Sequence, residues 1–543
     1  MAEGERDRPK YLPLRGEELL IGLVYGAGTE TALSLRLLKD ALHPYGYERR
    51  VIHLSNYFPA MLGDPDFRAA TSTATRQLQE FGDLLRERCE EKAILAQLAI
   101  YLIAAKRQRD NPSSRTAWVV RSLRRPEEVE QLRRVYGPRF ILVAVHTPEA
   151  IRQRNAEERW RRWAPTTGRY ETEATRDIRR DELDPERDYG QRTRETFSLA
   201  DFFVNASSEQ ILRRDIDRCV KVIFGWPFVP PTREEQAMYH AYTGALRSSE
   251  MGRQVGAAIT TSDGDLVAVG TNDVPSGKGG LYWSPDHPDE RDFAKQVPSD
   301  SNTLWKRRTA RELLLRMADQ QWIEPALYIR HSREQEARDE LDVTEEQLDA
   351  FLAGVKGTRF ADISEFGRAV HAEMDAITTA ARLGHRISGS TLVCTTFPCH
   401  NCTRHIVAAG IRRVIYIYPY AKSLALDLHS DSIELDPEDA AAVRGKVIFE
   451  QFIGVAPRGY PQYFGFGQTP RSNNRGNPVR EPDPATAQPR VLQESGTFSF
   501  GGPAVPATRI AQVERQIVRS FRQHVARTPE VQIPSPAKTE DEA

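Results

Sequence analysis

Cysteine is scarce in this chain, with five in 543 residues. An odd number spread through so long a chain excludes a disulfide framework and fits a reducing compartment. An excess of one charge is also missing. Lysine and arginine total 75 against 76 aspartates and glutamates, a net charge of −1. That balance argues against bulk electrostatic coating of nucleic acid, although a local basic patch remains open. No long hydrophobic run is present. The longest, Ala93 to Ala105, is interrupted by Gln97 and falls short of the ~20 residues a membrane span needs, so it reads as a buried helix. The first residues, MAEGERDRPKYLPLRGEE, have no apolar core and do not form a secretory signal. A cytoplasmic protein without a membrane partner is expected. Apolar residues make up 40%, which is low for a compact enzyme, so part of the chain is expected to be unfolded.

What is present alternates between strand and helix patterns. After a loose lead at 1–16, the run Leu19 to Tyr25 reads as a buried strand, followed by Gly26-Ala27-Gly28-Thr29 and a helical pattern. Further strands are expected near 50–54, 116–120, 140–145 and 201–204, with helices between them. This order predicts a parallel α/β sheet over 17–225. Segment 152–195 is rich in arginine and glutamate. Residues 226–231 hold three prolines and form the expected joint, since proline continues neither a helix nor a central strand. A second α/β unit is expected over 232–463, with a polar insertion at about 276–366. From 464 to 543 the composition predicts a mostly disordered tail. It contains one helix at about 509–526, whose residues Ile510, Val513, Ile517, Val518, Phe521 and Val525 share a face. That face would dock on its own protein or on a partner.

The chemistry concentrates in His371-Ala372-Glu373 and Pro398-Cys399-His400-Asn401-Cys402. One imidazole and two thiolates are suitable ligands for a single zinc ion, and three protein ligands leave a position open for water. Both cysteines fall at the expected start of a helix, where the macrodipole favours thiolate. Zinc lowers the pKa of bound water from about 15.7 to about 7. Glu373 is free to take a proton from that water and deliver it to a departing nitrogen. His, Glu and Pro-Cys-x-x-Cys in this order form the pattern of zinc deaminases. A structural zinc knuckle and a redox Cys-x-x-Cys are the competing readings. His400 and His405 read as surface or capping residues, Cys394 as core, and Cys89 and Cys219 as structural.

These stretches resemble the deoxycytidylate deaminase family. The matching segments are Arg253–Ile259 (RQVGAAI), Val269–Asn272 (VGTN), Val370–Glu373 (VHAE), Thr395–Cys402 (TTFPCHNC) and Ala408–Ile411 (AAGI). The resemblance implies a cytidine-deaminase-like α/β/α sandwich acting on deoxycytidine nucleotides. It also implies substrate contact by Asn272 and reading of the cytosine edge around Ala372, Thr396 and Pro398. Over 17–463 the chain is similar to bacterial anti-phage dCTP deaminases, in which a P-loop kinase-like domain precedes the deaminase. Further matching stretches are Val120–Leu123, Pro126–Val129, Tyr189–Arg192, Gly279–Trp283 and Lys422–Leu426. The implied activity is conversion of dCTP, dCMP or both to deoxyuridine nucleotides, depleting dCTP during infection, in an enzyme that forms homo-oligomers. Two rivals are a polynucleotide cytosine deaminase, served by Tyr282, Trp283 and Trp305 near Lys306, and a catalytically inactive nucleotide sensor.

The N-terminal glycine loop has the layout of a P-loop, with Gly22, Gly26, Gly28 and Thr29 as candidate phosphate-binding positions at a helix N-terminus. It lacks the lysine such a loop requires, and Glu30 stands in the neighbourhood instead. A degenerate kinase fold is therefore expected to bind a regulatory nucleotide, an RNA or a phage-derived trigger.

Overall fold

The structure is a computed structural model. It describes residues 16–62, 75–163, 168–182, 188–284, 288–295, 300–323, 329–331, 340–363, 365–419, 423–437, 440–465, 471–472, 475–479, 482–483, 487–492 and 507–536. The chain divides into two compact units. The first is Met1–Tyr239 with Ile415–Pro419 and Glu434–Ala543; the second is His240–Val414 with Tyr420–Ile433. The division falls inside the helix Arg233–Arg247, just beyond the proline-rich joint expected from the sequence.

The first unit is built on strands β1 (Leu19–Tyr25), β2 (Glu48–His53), β3 (Thr116–Arg121), β4 (Phe140–His146) and β5 (Phe202–Asn205). All four pairings among them are parallel, in the order β5-β4-β1-β3-β2. Every residue of β1 is buried, which is why its sequence is a continuous apolar run without alternation. Helices Thr31–Leu42 and Glu209–Ile223 supply Leu35, Leu38, Leu212 and Ile216 to one core with the sheet. Gly22 stands in the middle of β1, where an added Cβ would lie 2.7 Å from Leu123 and 2.8 Å from Phe140. It is a packing glycine set back from the loop.

The second unit contains β6 (Gly256–Thr260), β7 (Leu266–Thr271), a short antiparallel hairpin of β8 (Ile329–His331) and β9 (Glu340–Asp342), β10 (Thr391–Thr396) and the start of β11 (Arg413–Tyr418). Strand β6 pairs antiparallel with both β7 and β10. The expected insertion holds helices Ser301–Asp319 and Glu345–Gly354, which share a small core of Ala310, Val343 and Leu348.

The helix Ala372–Arg382 lies against β7 because glycine and alanine line the contact. An added Cβ on Gly270 would sit 2.0 Å from the Ala372 carbonyl oxygen and 2.4 Å from the Ala376 nitrogen. Asp375 then fixes the register, accepting a hydrogen bond from the Thr271 amide at 3.0 Å. Gly270→Ala is expected to push this helix away at a cost of about 1–3 kcal/mol, lowering both the melting temperature and the zinc content of purified protein. Unchanged zinc content with normal melting would show that the helix tolerates the displacement.

The last strands are β12 (Ile433–Leu435), β13 (Val447–Gln451) and β14 (Gly454–Val455); β12 and β13 lie beside β11 in the order β12-β13-β11, and β14 pairs antiparallel with β5. The tail differs from the sequence expectation in its described parts. Ala487 and Val491 join the main core, and the helix Ala507–Arg527 buries Ile510, Ala511, Phe521 and Val525. Phe521 stacks on Tyr101 with ring centroids 5.3 Å apart. Ile510, Phe521 and Val525 belong to the one helical face read from the sequence as a docking surface. The remainder of the tail lies outside the described residues. No helix among the described residues is long and apolar enough to cross a membrane.

Candidate active site

His371 is the N-cap of the helix Ala372–Arg382, and Cys399 is the N-cap of the helix His400–Ala408. The two helix starts bring the candidate ligands together. His371 Nδ1 lies 3.2 Å from Cys402 Sγ and 3.3 Å from Cys399 Sγ, and the three donor atoms all fall within 4.8 Å of one another. This is the one group of three or more potential ligands that could hold a metal ion among the described residues. Cys399 Sγ accepts from the Cys402 amide at 3.5 Å, the capping contact expected of an anion at a helix N-terminus. Glu373 is buried in the first turn of its helix, with Oε2 3.5 Å from Cys402 Sγ. Cys394, fully buried in β10, is in hydrogen-bonding contact with the Glu373 carboxyl.

The protons in this cluster are shared unevenly. Hydrogen bonding from Cys402, aided by His371 and opposed by burial, brings the Cys399 thiol down to about 4. Hydrogen bonding to Cys399 lifts the His371 ring to about 9 against burial. The bond to Cys399, burial and the nearby Glu373 carboxyl push Cys402 well up. Burial, with the Cys399 charge, raises Glu373. The donor set fits zinc: one nitrogen and two sulfurs converge, with a fourth position left for water. Binding a metal there displaces the ligand protons.

Of the remaining expected site residues, Ala372 opens the His371 helix, where the first amides have no intrahelical partner. Thr396 ends β10, and the Pro398 carbonyl accepts from Ser423 Oγ at 2.8 Å. The Asn272 side chain is engaged at both ends: Oδ1 accepts from the Val255 amide at 2.6 Å, and Nδ2 donates to the Arg253 carbonyl at 2.7 Å. Asp375 and Ser423, which hold the helix and the Pro398 carbonyl, were missed from the sequence because their partners are backbone groups distant in sequence. The N-terminal candidates belong to the first unit. Gly26, Gly28 and Thr29 line a cavity there, while Gly22 is not on its wall.

Residues 231–418 match the family model described as the cytidine and deoxycytidylate deaminase zinc-binding region. The chain is 41% identical over 54 residues to the deoxycytidylate deaminase of Enterobacteria phage T2, covering 10% of this chain and 29% of that protein. It is 34% identical over 76 residues to ComE operon protein 2 of Bacillus subtilis, covering 13% and 40%. Among solved structures, it is similar to the dCMP deaminase of cyanophage S-TIM5 in complex with dCMP and dUMP. That match has 18% identity over 40% of this chain and 95% of the other, with a TM-score of 0.20. The match thus spans about three-tenths of the phage T2 relative's length. The stretch matched by the cytidine and deoxycytidylate deaminase zinc-binding region contains His371, Cys399 and Cys402, the three side chains that could hold a metal ion.

Proposed function

We propose that this protein hydrolytically deaminates deoxycytidine nucleotides, dCTP, dCMP or both, to deoxyuridine nucleotides and ammonia. The observation that carries this reading is the convergence of His371, Cys399 and Cys402 within 4.8 Å beside the buried Glu373 carboxyl. A zinc ion held by those three side chains supplies Lewis-acid activation of water near neutral pH. Glu373 moves the proton: it takes one from the attacking water and returns it to the amine nitrogen as the C4–N bond breaks and a C4–O bond forms. The Ala372 amide, Thr396 and Pro398 are the groups assigned to the cytosine edge. Asn272 joins them through the one amide proton and one lone pair left after its bonds to Arg253 and Val255. Consumption of dCTP in defence against phage extends this reading; its support is the resemblance carried by the sequence stretches quoted above.

The test is deamination of dCTP, dCMP, deoxycytidine and a cytosine-containing single-stranded oligonucleotide by full-length protein, zinc-loaded and chelator-stripped. Zinc-dependent formation of dUTP or dUMP is expected, with little dependence on salt. Activity confined to the oligonucleotide, falling steeply as salt rises, would replace this reading with a polynucleotide deaminase. Silence on all four substrates, before and after addition of infected-cell extract, would leave the inactive sensor.

A further inference from the structure

The first unit has a second site, at the carboxyl ends of β1, β2 and β3. The connection from β1 leads to β2 on one side, and that from β3 leads to β4 on the other, with β1 and β3 adjacent. Open α/β sheets bind ligands at such a reversal. A cavity of about 360 Å³ lies there, within the roughly 300–1,000 Å³ typical of small-molecule sites. One wall is apolar, with Leu54, Phe58 and Leu95; another carries Arg121, Arg124 and Arg159.

Several donors point to an anion. The helix Thr31–Leu42 begins at the cavity without a side-chain cap. Thr29 is only 3% exposed, yet its hydroxyl has no hydrogen-bond partner among the described residues. Arg121 Nε is likewise unpartnered. Neither Arg121 nor Arg159 makes an ion pair with a carboxylate among the described residues. Arg121 donates to Thr31 Oγ1 at 2.6 Å and faces the Tyr25 hydroxyl, and Arg159 donates to the Thr29 carbonyl at 3.2 Å. Gly28, at φ +88°, presses against the Arg152 backbone, where an added Cβ would meet the carbonyl oxygen at 2.3 Å. Only glycine keeps the loop open at this point.

One carboxyl group is already in place. Asp181, fully buried near the end of the helix Tyr170–Glu182, accepts the Ala27 amide proton at 2.8 Å and pairs with Arg124 at 3.1 Å. Its other oxygen accepts from Gln79 at 3.4 Å. A carboxylate thus occupies the position on the loop that a phosphoryl oxygen would take. We propose that the Gly26–Thr29 loop is an anion seat filled by the chain's own Asp181, and that a phosphorylated small molecule with an apolar or aromatic body binds the adjoining cavity by displacing it. Arg121 and Thr29 supply the new contacts, and Arg124 exchanges Asp181 for the ligand. With no lysine between Gly22 and Leu38, the site binds the ligand without transferring its phosphoryl group.

The test is equilibrium titration of full-length protein with AMP and with inorganic pyrophosphate, neither of which offers a cytosine to the deaminase site. Weak saturable binding by the wild type is expected, tightened about tenfold by Asp181→Asn and weakened about tenfold by Arg121→Gln. Equal affinity in Asp181→Asn and wild type, or in Arg121→Gln and wild type, overturns the proposal, as does no binding of either probe. Should Asp181→Asn fail to fold, hydrogen exchange on the wild type decides. Saturating AMP must speed exchange in Tyr170–Glu182 and slow it in Gly26–Thr31; no change in either segment overturns the proposal.

Discussion

Replacing Glu373 with glutamine is expected to leave zinc bound and to lower turnover of deoxycytidine nucleotides by at least about a hundredfold, the scale of general acid–base catalysis. Glutamine matches glutamate in volume, so the buried first turn of the helix should keep its packing, and the amide still reaches Cys402. What it lacks is a site that gains and loses a proton at neutral pH. His371, Cys399 and Cys402 are untouched, so zinc content by atomic absorption should equal that of the wild type. Because Glu373 is 4% exposed and sits 3.5 Å from Cys402 Sγ, bulk water has poor access to take over the transfer. A variant retaining more than about a tenth of wild-type turnover would move the proton relay to another residue. A variant that lost zinc would show instead that the carboxylate helps hold the ligand set.

The legible part of this site was the part encoded in local spacing. A histidine before one helix and two cysteines at the start of the next bring three ligand atoms together with no long-range information beyond strand β10 between them. Strand β1 was legible for a similar reason, since a run of apolar residues leaves little choice but burial on both faces. The illegible contacts depend on partners far away in sequence. Nothing near Asn272 indicates that its amide will be bonded to the backbone at 253 and 255. Asp181 is one of 76 acidic residues, and its bond to the Ala27 amide spans 154 positions. The arginine- and glutamate-rich segment that contains it reads equally as a solvated surface. The same is true of Glu514, an acidic residue on an amphipathic helix whose burial becomes apparent only when its partner at position 107 is known.

That partner carries a large expected stability effect. Arg107 is 1% exposed and lies between two carboxylates, Glu18 at 1% and Glu514 at 0%. Its guanidinium reaches Glu18 at 2.9 Å and Glu514 at 3.1 Å, and Tyr136 donates to Glu514 at 2.9 Å. Burial alone would lower the arginine pKa, but Glu514 and Glu18 outweigh it and keep the group charged. Arg107→Met keeps much of the side-chain volume but leaves two buried carboxylates without a counter-charge. The expected loss is about 3–5 kcal/mol, concentrated where Glu514 joins the C-terminal helix to the helix Ile94–Asp110. Hydrogen exchange over 507–527 should rise and proteolysis there should begin before the second unit is cut. The triple variant Arg107→Met, Glu18→Gln and Glu514→Leu should recover most of the loss, because the cost comes from the stranded charges and much less from the absence of the pair. If Arg107→Met alone protects the helix as well as wild type does, docking rests on Ile510, Phe521 and Val525, and the ion triad contributes little.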